Sequence, residues 1–477
     1  MTNAAPRGKP DAGNPHVRFD EGEVAPAATP RRGSLLYKGT TGGTHSGTDA
    51  ENHLDVYADR SVLHVGGTVL TFREGVQSEE TRKRYRRICD AFESGYLQKV
   101  LHDVQSGKID LSVLPDDVAA LLTKIVDGIS ENEGRAVVCI CFLQLAVKSI
   151  DPSQSVRLHK GGSTKKNFSW VDGISMRSLD AKYTSKFLRD NSLMSMNAFG
   201  AMMTRSFAEN YPYSSLYKAS IRGPADSWVE LVDRIELDTL NPALALAYFM
   251  TLLKNRSEAF AELSDKACRL ARATKSLSFD QVREGLSDFI DRTTYSARAL
   301  EVAMHGLLQA LIQTGAMPDN RIAPLCQMRT ANKKAGTVGD VEIRDFDDEV
   351  VEAWDAKYGK PYLWDELVEL GEKLGQATSV VKAGFVVDRK PDMRADILDR
   401  KSEIEQATGT SIYLMSFEEW ARFQSGNVPK DGKSALAHEW LVAVAESFGR
   451  KRLDVAPIDE PCETWLKDLI AWLESLS

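Results

Sequence analysis

The stretch Gly339-Asp-Val-Glu-Ile-Arg-Asp-Phe-Asp-Asp-Glu-Val-Val-Glu-Ala-Trp-Asp-Ala-Lys357 decides the expected fold of this chain. Residues 339–345 have the pattern of a β-strand, and residues 349–357 carry a second run that is apolar enough for burial on both faces. Phe346-Asp347-Asp348 between them supply the residues of a turn. The stretch therefore predicts an antiparallel hairpin.

The residues around this hairpin predict alternating helices and strands. Helical periodicity covers about 296–314 before it and 363–374 after it. Short apolar runs at 383–388 and 411–415 predict buried strands, and a helix from Pro391 to Gly409 separates them. Strand–helix–strand alternation with short loops implies parallel crossovers. We therefore expect an α/β fold, α+β over the whole chain, whose C-terminal part is a mixed sheet flanked by helices.

Four segments of the chain differ in composition and periodicity. The first is rich in Gly, Pro, Ala and Thr and predicts a disordered tail. The second is mostly helical after a hairpin at Gly66-Gly67, the third holds the mixed sheet, and the fourth predicts two amphipathic helices that pack on it. The predicted boundaries are 1–55, 56–290, 291–430 and 431–477. Predicted helices of the second segment include 226–236, 241–254, 256–273 and 279–291.

The composition is that of an ordinary soluble protein. The 477 residues are 43% hydrophobic and 27% charged, and the longest apolar run, Ala136–Val147, is too short to cross a bilayer. For that reason we expect no membrane association. The six cysteines include no Cys-x-x-Cys pair, which favours reduced thiols in a cytoplasmic protein. The net charge of −8 means that any nucleic-acid surface must be a local patch.

Two acids and one lysine are predicted to meet at one end of the hairpin. Side chains alternate along a strand, so Asp355 and Lys357 share a face, and Asp340 can lie beside Asp355 across the hairpin. Two carboxylates can hold a hard cation such as Mg²⁺, which activates a bound water, and a lysine can offset charge on a phosphate. The trio therefore predicts phosphodiester hydrolysis. The alternative interpretation is a solvated strand end with an ordinary ion pair.

Further acids near the hairpin are candidates for the same site. Glu301 on the preceding helix could add a third acid, or could form a surface pair with His305 four residues later. Glu342 shares a strand face with Asp340 and ranks second. Glu352 is expected on the face opposite Asp355 and ranks third.

The trio resembles the metal site of the PD-(D/E)xK nuclease superfamily, with Asp340 as the first acid and Asp355-Ala356-Lys357 as the acid-x-lysine element. Gly339 stands where that pattern has proline. Four further phrases of the chain carry a second similarity: residues 203–217, 327–334, 350–362 and 456–462. In these phrases, and from about residue 190 onward, the chain is similar to SacI-type restriction endonucleases.

The resemblance implies a type II restriction endonuclease that uses Mg²⁺ to cut double-stranded DNA at a short palindrome. A palindromic site implies a homodimer, and a cell that carries the enzyme needs a cognate DNA methyltransferase. Two rivals stay open: a repair or junction nuclease on the same core, and a non-catalytic DNA-binding protein with a degenerate nuclease fold. A carbohydrate hydrolase is disfavoured because the strand-borne lysine would have no role.

A basic stretch predicts where DNA could be contacted. Residues 157–222 contain eleven Lys/Arg and four Asp/Glu, with aromatic residues interleaved. The alternative is a solvated basic face with its aromatics in the core. The candidate contacts here are Lys165, Lys166, Arg177, Lys182, Lys186 and Arg189. Arg329, Lys333 and Lys334, just ahead of the hairpin, are further phosphate-contact candidates.

Overall fold

The computed structural model describes residues 52–130, 133–164, 167–194, 200–201, 205–325, 337–449 and 462–476. The chain divides into two compact units, residues 1–71 and residues 72–477. Each unit is described by itself.

The first unit contains the first two strands and most of the third strand of a small three-stranded sheet. Its strands β1 (His53–Val56), β2 (Arg60–Val65) and β3 (Thr68–Arg73) follow one another in the order β1-β2-β3. Gly66 and Gly67 both have positive φ angles, of 55° and 74°, which a two-residue hairpin turn requires. The hairpin predicted at these glycines is confirmed. Strand β1 begins inside the predicted tail, and residues 1–51 of that tail lie outside the described residues.

Helices dominate the chain from residue 79 to 313. They are α1 (Glu79–Glu93), α2 (Tyr96–Gln105), α3 (Asp116–Asp127), α4 (Arg135–Ile150), α5 (Met176–Leu179), α6 (Ser185–Asp190), α7 (Ala225–Glu236), α8 (Pro242–Ala273), α9 (Phe279–Arg292) and α10 (Ser296–Gln313). Short 3-10 turns follow α2 and precede α7, and a π-helical turn joins α5 to α6. Helix α8 is continuous, where the periodicity predicted two helices. None of the described helices has both the length and the apolarity of a membrane span.

Two apolar clusters share helix α8. The first surrounds α4, in which every residue from 137 to 148 is buried, and takes in Leu246 and Leu253 of α8. The second begins with Ala267 and Ala271 near the end of α8 and continues to the C-terminal helix. One apolar cluster therefore ends and the next begins within α8, upstream of the predicted segment boundary at residue 290.

A five-stranded mixed sheet forms the centre of the C-terminal part. Its strands lie in chain order: β4 (Arg321–Ile322), β5 (Val341–Arg344), β6 (Val350–Ala356), β7 (Lys382–Val387) and β8 (Ser411–Ser416). The pairs β4–β5 and β5–β6 are antiparallel, and β6–β7 and β7–β8 are parallel. The two parallel crossovers contain α11 (Trp364–Leu374) and α12 (Ala395–Thr408). The mixed α/β fold is thus confirmed.

Both faces of this sheet are buried because its side chains alternate between two apolar clusters. Trp354 and Val386 pack into the cluster that contains α10 and the last two helices, whereas Ala353 and Phe385 pack against α11 and α12. Helix α13 (Phe417–Gln424) follows β8 directly and starts with the predicted capping box at Ser416. The chain ends in α14 (Lys433–Phe448) and α15 (Cys462–Glu474). Helix α14 is buried on most sides rather than amphipathic.

Candidate active site

The β5–β6 hairpin places Asp340 beside Asp355. Asp340 immediately precedes β5, and Asp355 lies near the end of β6. Val341 is paired with Trp354, so the preceding and following residues become neighbours. At Gly339 a Cβ atom would lie 2.9 Å from the backbone N and O of Trp354, which leaves no room for a side chain. This close approach explains why a glycine stands at position 339.

Hydrogen bonds join the three predicted site residues. The backbone N–H of Asp340 donates to Asp355 Oδ1 at 3.0 Å, and the backbone N–H of Ala356 donates to Asp340 Oδ2 at 3.1 Å. The Lys357 ammonium donates to Asp355 Oδ2 at 3.1 Å. Asp340, Asp355 and Lys357 therefore converge at one end of the hairpin, each carboxylate held by a backbone amide.

Burial and mutual repulsion set the charges of this cluster. Burial, and next the negative charge of Asp340, raise the pKa of Asp355 to about 6, against the opposing effect of Lys357 and Lys373. Burial acts to lower the pKa of Lys357, but the charges of Asp355, Asp340 and Glu366 outweigh it and the pKa is raised. Lys357 is therefore a persistent cation next to Asp355, whose ionisation is disfavoured by burial and by the charge of Asp340.

The two acids fit a hard divalent cation. Burial and then the charge of Asp340 raise the pKa of Asp355, and a bound cation would relieve the repulsion between the two acids while accepting their carboxylate oxygens as ligands. Asp340 and Asp355 would hold such an ion, with water completing its coordination. This donor set matches Mg²⁺ better than a softer metal, because it offers only oxygen.

Helix α11 contributes two charged residues that the sequence reasoning missed. The charge of Lys373 acts on Asp355, and its ammonium lies 3.4 Å from the carbonyl oxygen of Val338. Glu366 acts on Lys357 and accepts a hydrogen bond from Lys360. The available signal was positional: α11 is the first helix after the acid-x-lysine strand, so it starts from the end of the sheet at which that strand stops and packs back across the sheet.

Glu301 and His305 take other partners. The Glu301 carboxylate pairs with Arg298 on the same helix, and His305 Nε2 lies 3.0 Å from the carbonyl oxygen of Ala323. Within the described part of the chain, no group of three metal-ligand side chains with ligand atoms inside 4.8 Å includes Asp340 and Asp355. The structure thus does not bring Glu301 into the acid pair, and its catalytic role stays a prediction.

The second- and third-rank acids are also engaged in the fold. Glu342 is buried, accepts from the backbone N–H of Val338 at 2.7 Å and pairs with Arg344 at 3.2 Å. Glu352 pairs with Lys382 at 2.8 Å across the neighbouring strand. Both acids therefore hold the sheet together rather than line the Asp340–Asp355 cluster.

The described DNA-contact candidates lie on one short segment. Arg177, Lys182, Lys186 and Arg189 are exposed on residues 177–189. Lys182 pairs with Glu93 at 2.7 Å, Lys186 pairs with Asp190, and Arg189 lies 3.7 Å from Asp190. DNA contact by this segment stays a prediction. The other candidates lie outside the described residues: Lys165, Lys166, Arg329, Lys333 and Lys334.

Part of the basic stretch is core. Arg157 is fully buried and donates to the carbonyl oxygen of Tyr213 at 2.7 Å and to Asp233. The Tyr213 ring packs on Trp228, with ring centroids 4.9 Å apart. These residues match the alternative interpretation, in which the aromatics of this stretch belong to the core.

Comparisons with known proteins assign this chain to no family. The chain matches none of the protein-family models, and it matches no curated protein.

Proposed function

We propose that this protein is a Mg²⁺-dependent endonuclease that hydrolyses phosphodiester bonds of double-stranded DNA at a short palindrome, as a type II restriction enzyme does. The observation that carries the proposal is the hydrogen-bonded convergence of Asp340, Asp355 and Lys357 at one end of a buried hairpin. Support also comes from the resemblance of these residues to the PD-(D/E)xK pattern.

Each residue of the trio has a chemical task in this proposal. Asp340 and Asp355 would hold the cation, which would supply an activated water and offset negative charge on the scissile phosphate. Lys357 is kept protonated by the neighbouring acids, so it acts as a cation that orients water and stabilises the charge developing on phosphate oxygens. Backbone N–H donors from Asp340 and Ala356 fix the carboxylates in place before substrate arrives.

The proposal carries expectations about partners and setting. A palindromic substrate is read by a symmetric homodimer, so two copies of the chain would each cut one strand. The exposed basic residues of segment 177–189 are the first candidates for phosphate contact. A cognate DNA methyltransferase would protect the host, and both proteins would act in the cytoplasm.

The test is digestion of unmethylated phage DNA by the purified protein with Mg²⁺. Wild type should give discrete fragments that disappear when EDTA removes the metal. Lys357→Ala should cut at least roughly 100-fold more slowly, since loss of one charge-stabilising group typically costs that much. Lys390→Ala is the matched control, because Lys390 is exposed and lies outside the acid cluster, and it should cut at the wild-type rate.

Three outcomes would contradict the proposal in different ways. Equal cutting by wild type and Lys357→Ala would assign the activity to another site or protein. Binding in a gel shift without cutting on several DNAs would favour the non-catalytic DNA-binding protein. Cleavage restricted to branched DNA would favour a junction nuclease.

A further inference from the structure

Three side chains of the types that can bind a metal ion meet on one face of the small sheet. His53 and Asp55 are two residues apart on β1, so they point to the same side of the strand. His64 on β2 is the direct cross-strand partner of His53. The antiparallel register therefore gathers two imidazoles and one carboxylate over a single pair of strands.

The distances between these groups are close to those of a metal site. Asp55 Oδ2 lies 3.6 Å from His64 Nε2 and 3.9 Å from His53 Nε2, and one ligand atom from each residue lies within 4.8 Å of the others. The ligand atoms of a tetrahedral zinc site are about 3.3 Å apart, since each bond is about 2.0–2.1 Å long. Small side-chain rotations would therefore bring this trio to coordination distance.

The surroundings of the trio allow an ion to enter. The side chains of His53, Asp55 and His64 are 41%, 31% and 30% exposed. The two imidazole rings stack, with centroids 3.8 Å apart and an angle of 13° between their planes, so both rings are already side by side. In the described part of the chain, this is the one cluster of three metal-ligand residues within coordination reach.

We propose that His53, Asp55 and His64 bind one Zn²⁺ ion, with water as the fourth ligand. Two nitrogen donors and one oxygen donor suit a borderline-soft transition metal, whereas Mg²⁺ prefers oxygen donors alone. This site is therefore chemically distinct from the acid pair of the β5–β6 hairpin and does not depend on the proposed nuclease function. The ion would cross-link β1 to β2, and a three-stranded sheet of this size gains stability from such a link.

The test is zinc titration of the full-length chain after chelator treatment, followed by calorimetry and hydrogen exchange. Wild type should bind one equivalent, and zinc should slow amide exchange in residues 53–65. Asp55→Asn and His64→Ala should weaken binding by more than the roughly 10- to 100-fold that changes outside the coordination shell cost. His102→Ala is the matched control, because His102 is exposed on α2, and it should bind as wild type does.

The Asp355→Asn variant separates this site from the acid pair. Unchanged zinc binding in Asp355→Asn, together with loss in His64→Ala, would support the proposal. Loss in Asp355→Asn would place the zinc at the acid pair, and wild-type binding by His64→Ala would overturn the proposal. Amide exchange rates of the zinc-free variants in residues 53–65 show whether the three-stranded sheet is intact. If His64→Ala unfolds this sheet, the milder Asp55→Asn variant still tests the proposal.

Discussion

His159 shows how burial overrides the apparent chemistry of a single side chain. It lies in the basic stretch that predicted a DNA surface, but it is 3% exposed and its ring stacks on Tyr213 with centroids 4.5 Å apart. Burial, with the charge of Lys160 adding to it, lowers the pKa of His159 to about 3. The folded protein therefore keeps this imidazole neutral at pH values where the unfolded chain is protonated.

Replacement of His159 by Phe should make the protein less sensitive to mild acid. A histidine in the unfolded chain titrates near pH 6.5. The contribution of neutral His159 to the free energy of unfolding is therefore fully present above that pH, and it falls as the pH drops toward the folded pKa of about 3. At pH 5 this titration lowers the free energy of unfolding by about 2 kcal/mol. Phe keeps the ring stack without the titration. Urea unfolding at pH 7 and pH 5 should show a change of stability that differs by about 2 kcal/mol between wild type and His159→Phe, with wild type losing more in acid.

The exposed His102 provides the control for this experiment. His102→Phe should retain the wild-type loss of stability between pH 7 and pH 5, because its side chain is solvated in both states. An undiminished acid sensitivity in His159→Phe would mean that other groups cause it.

At the scale of elements, the β5–β6 hairpin depends on the backbone contact at Gly339. A Cβ there would lie 2.9 Å from Trp354 backbone atoms, so any side chain must push β5 away from β6. The same contact sets the 3.0 Å hydrogen bond between Asp340 N–H and Asp355 Oδ1. Strand pairing and the geometry of the acid pair are therefore linked.

Gly339→Ala should destabilise the protein by about 1–3 kcal/mol, the usual cost of overpacking. Chemical denaturation measures this change, and a metal-binding assay should show weaker binding at the displaced acid pair. Gly375→Ala is the matched control, because a Cβ there would lie 3.5 Å from its nearest neighbour, an ordinary contact. Equal stability of Gly339→Ala and wild type would show that the hairpin absorbs the methyl group.

At the scale of the whole molecule, helix α8 joins two apolar cores. Its first half packs with α4 through Leu246 and Leu253, and its last turns pack in the second cluster through Ala267 and Ala271. An unbroken helix transmits unfolding from one end to the other, because fraying at its centre would break consecutive backbone hydrogen bonds. Residues 72–477 should therefore unfold as one cooperative unit.

Leu246→Ala and Leu308→Ala test this coupling from the two sides. Both side chains are fully buried, one in each cluster, so each change should cost about 2–5 kcal/mol. Calorimetry should show that both variants lower the temperature of the same transition. Leu237→Ala, at a half-exposed leucine, should leave it nearly unchanged. Two transitions, each shifted by only one variant, would mean that the cores unfold separately.

The sequence by itself determined the features that depend on neighbours along the chain. The strands β5–β8, the capping box at Ser416 and the helix end at Gly409 follow from periodicity and local hydrogen bonding. The meeting of Asp340, Asp355 and Lys357 also belongs here, because strand alternation and a short turn fix which residues face one another.

Only the tertiary structure decided which charged side chains interact with groups on distant segments of the chain. It buried Arg157 against Tyr213 and Asp233, and it brought Lys373 of α11 within electrostatic reach of Asp355. These outcomes depend on packing between elements far apart in sequence. Burial and long-range pairing set the energy of a charge, and neither is encoded in local periodicity.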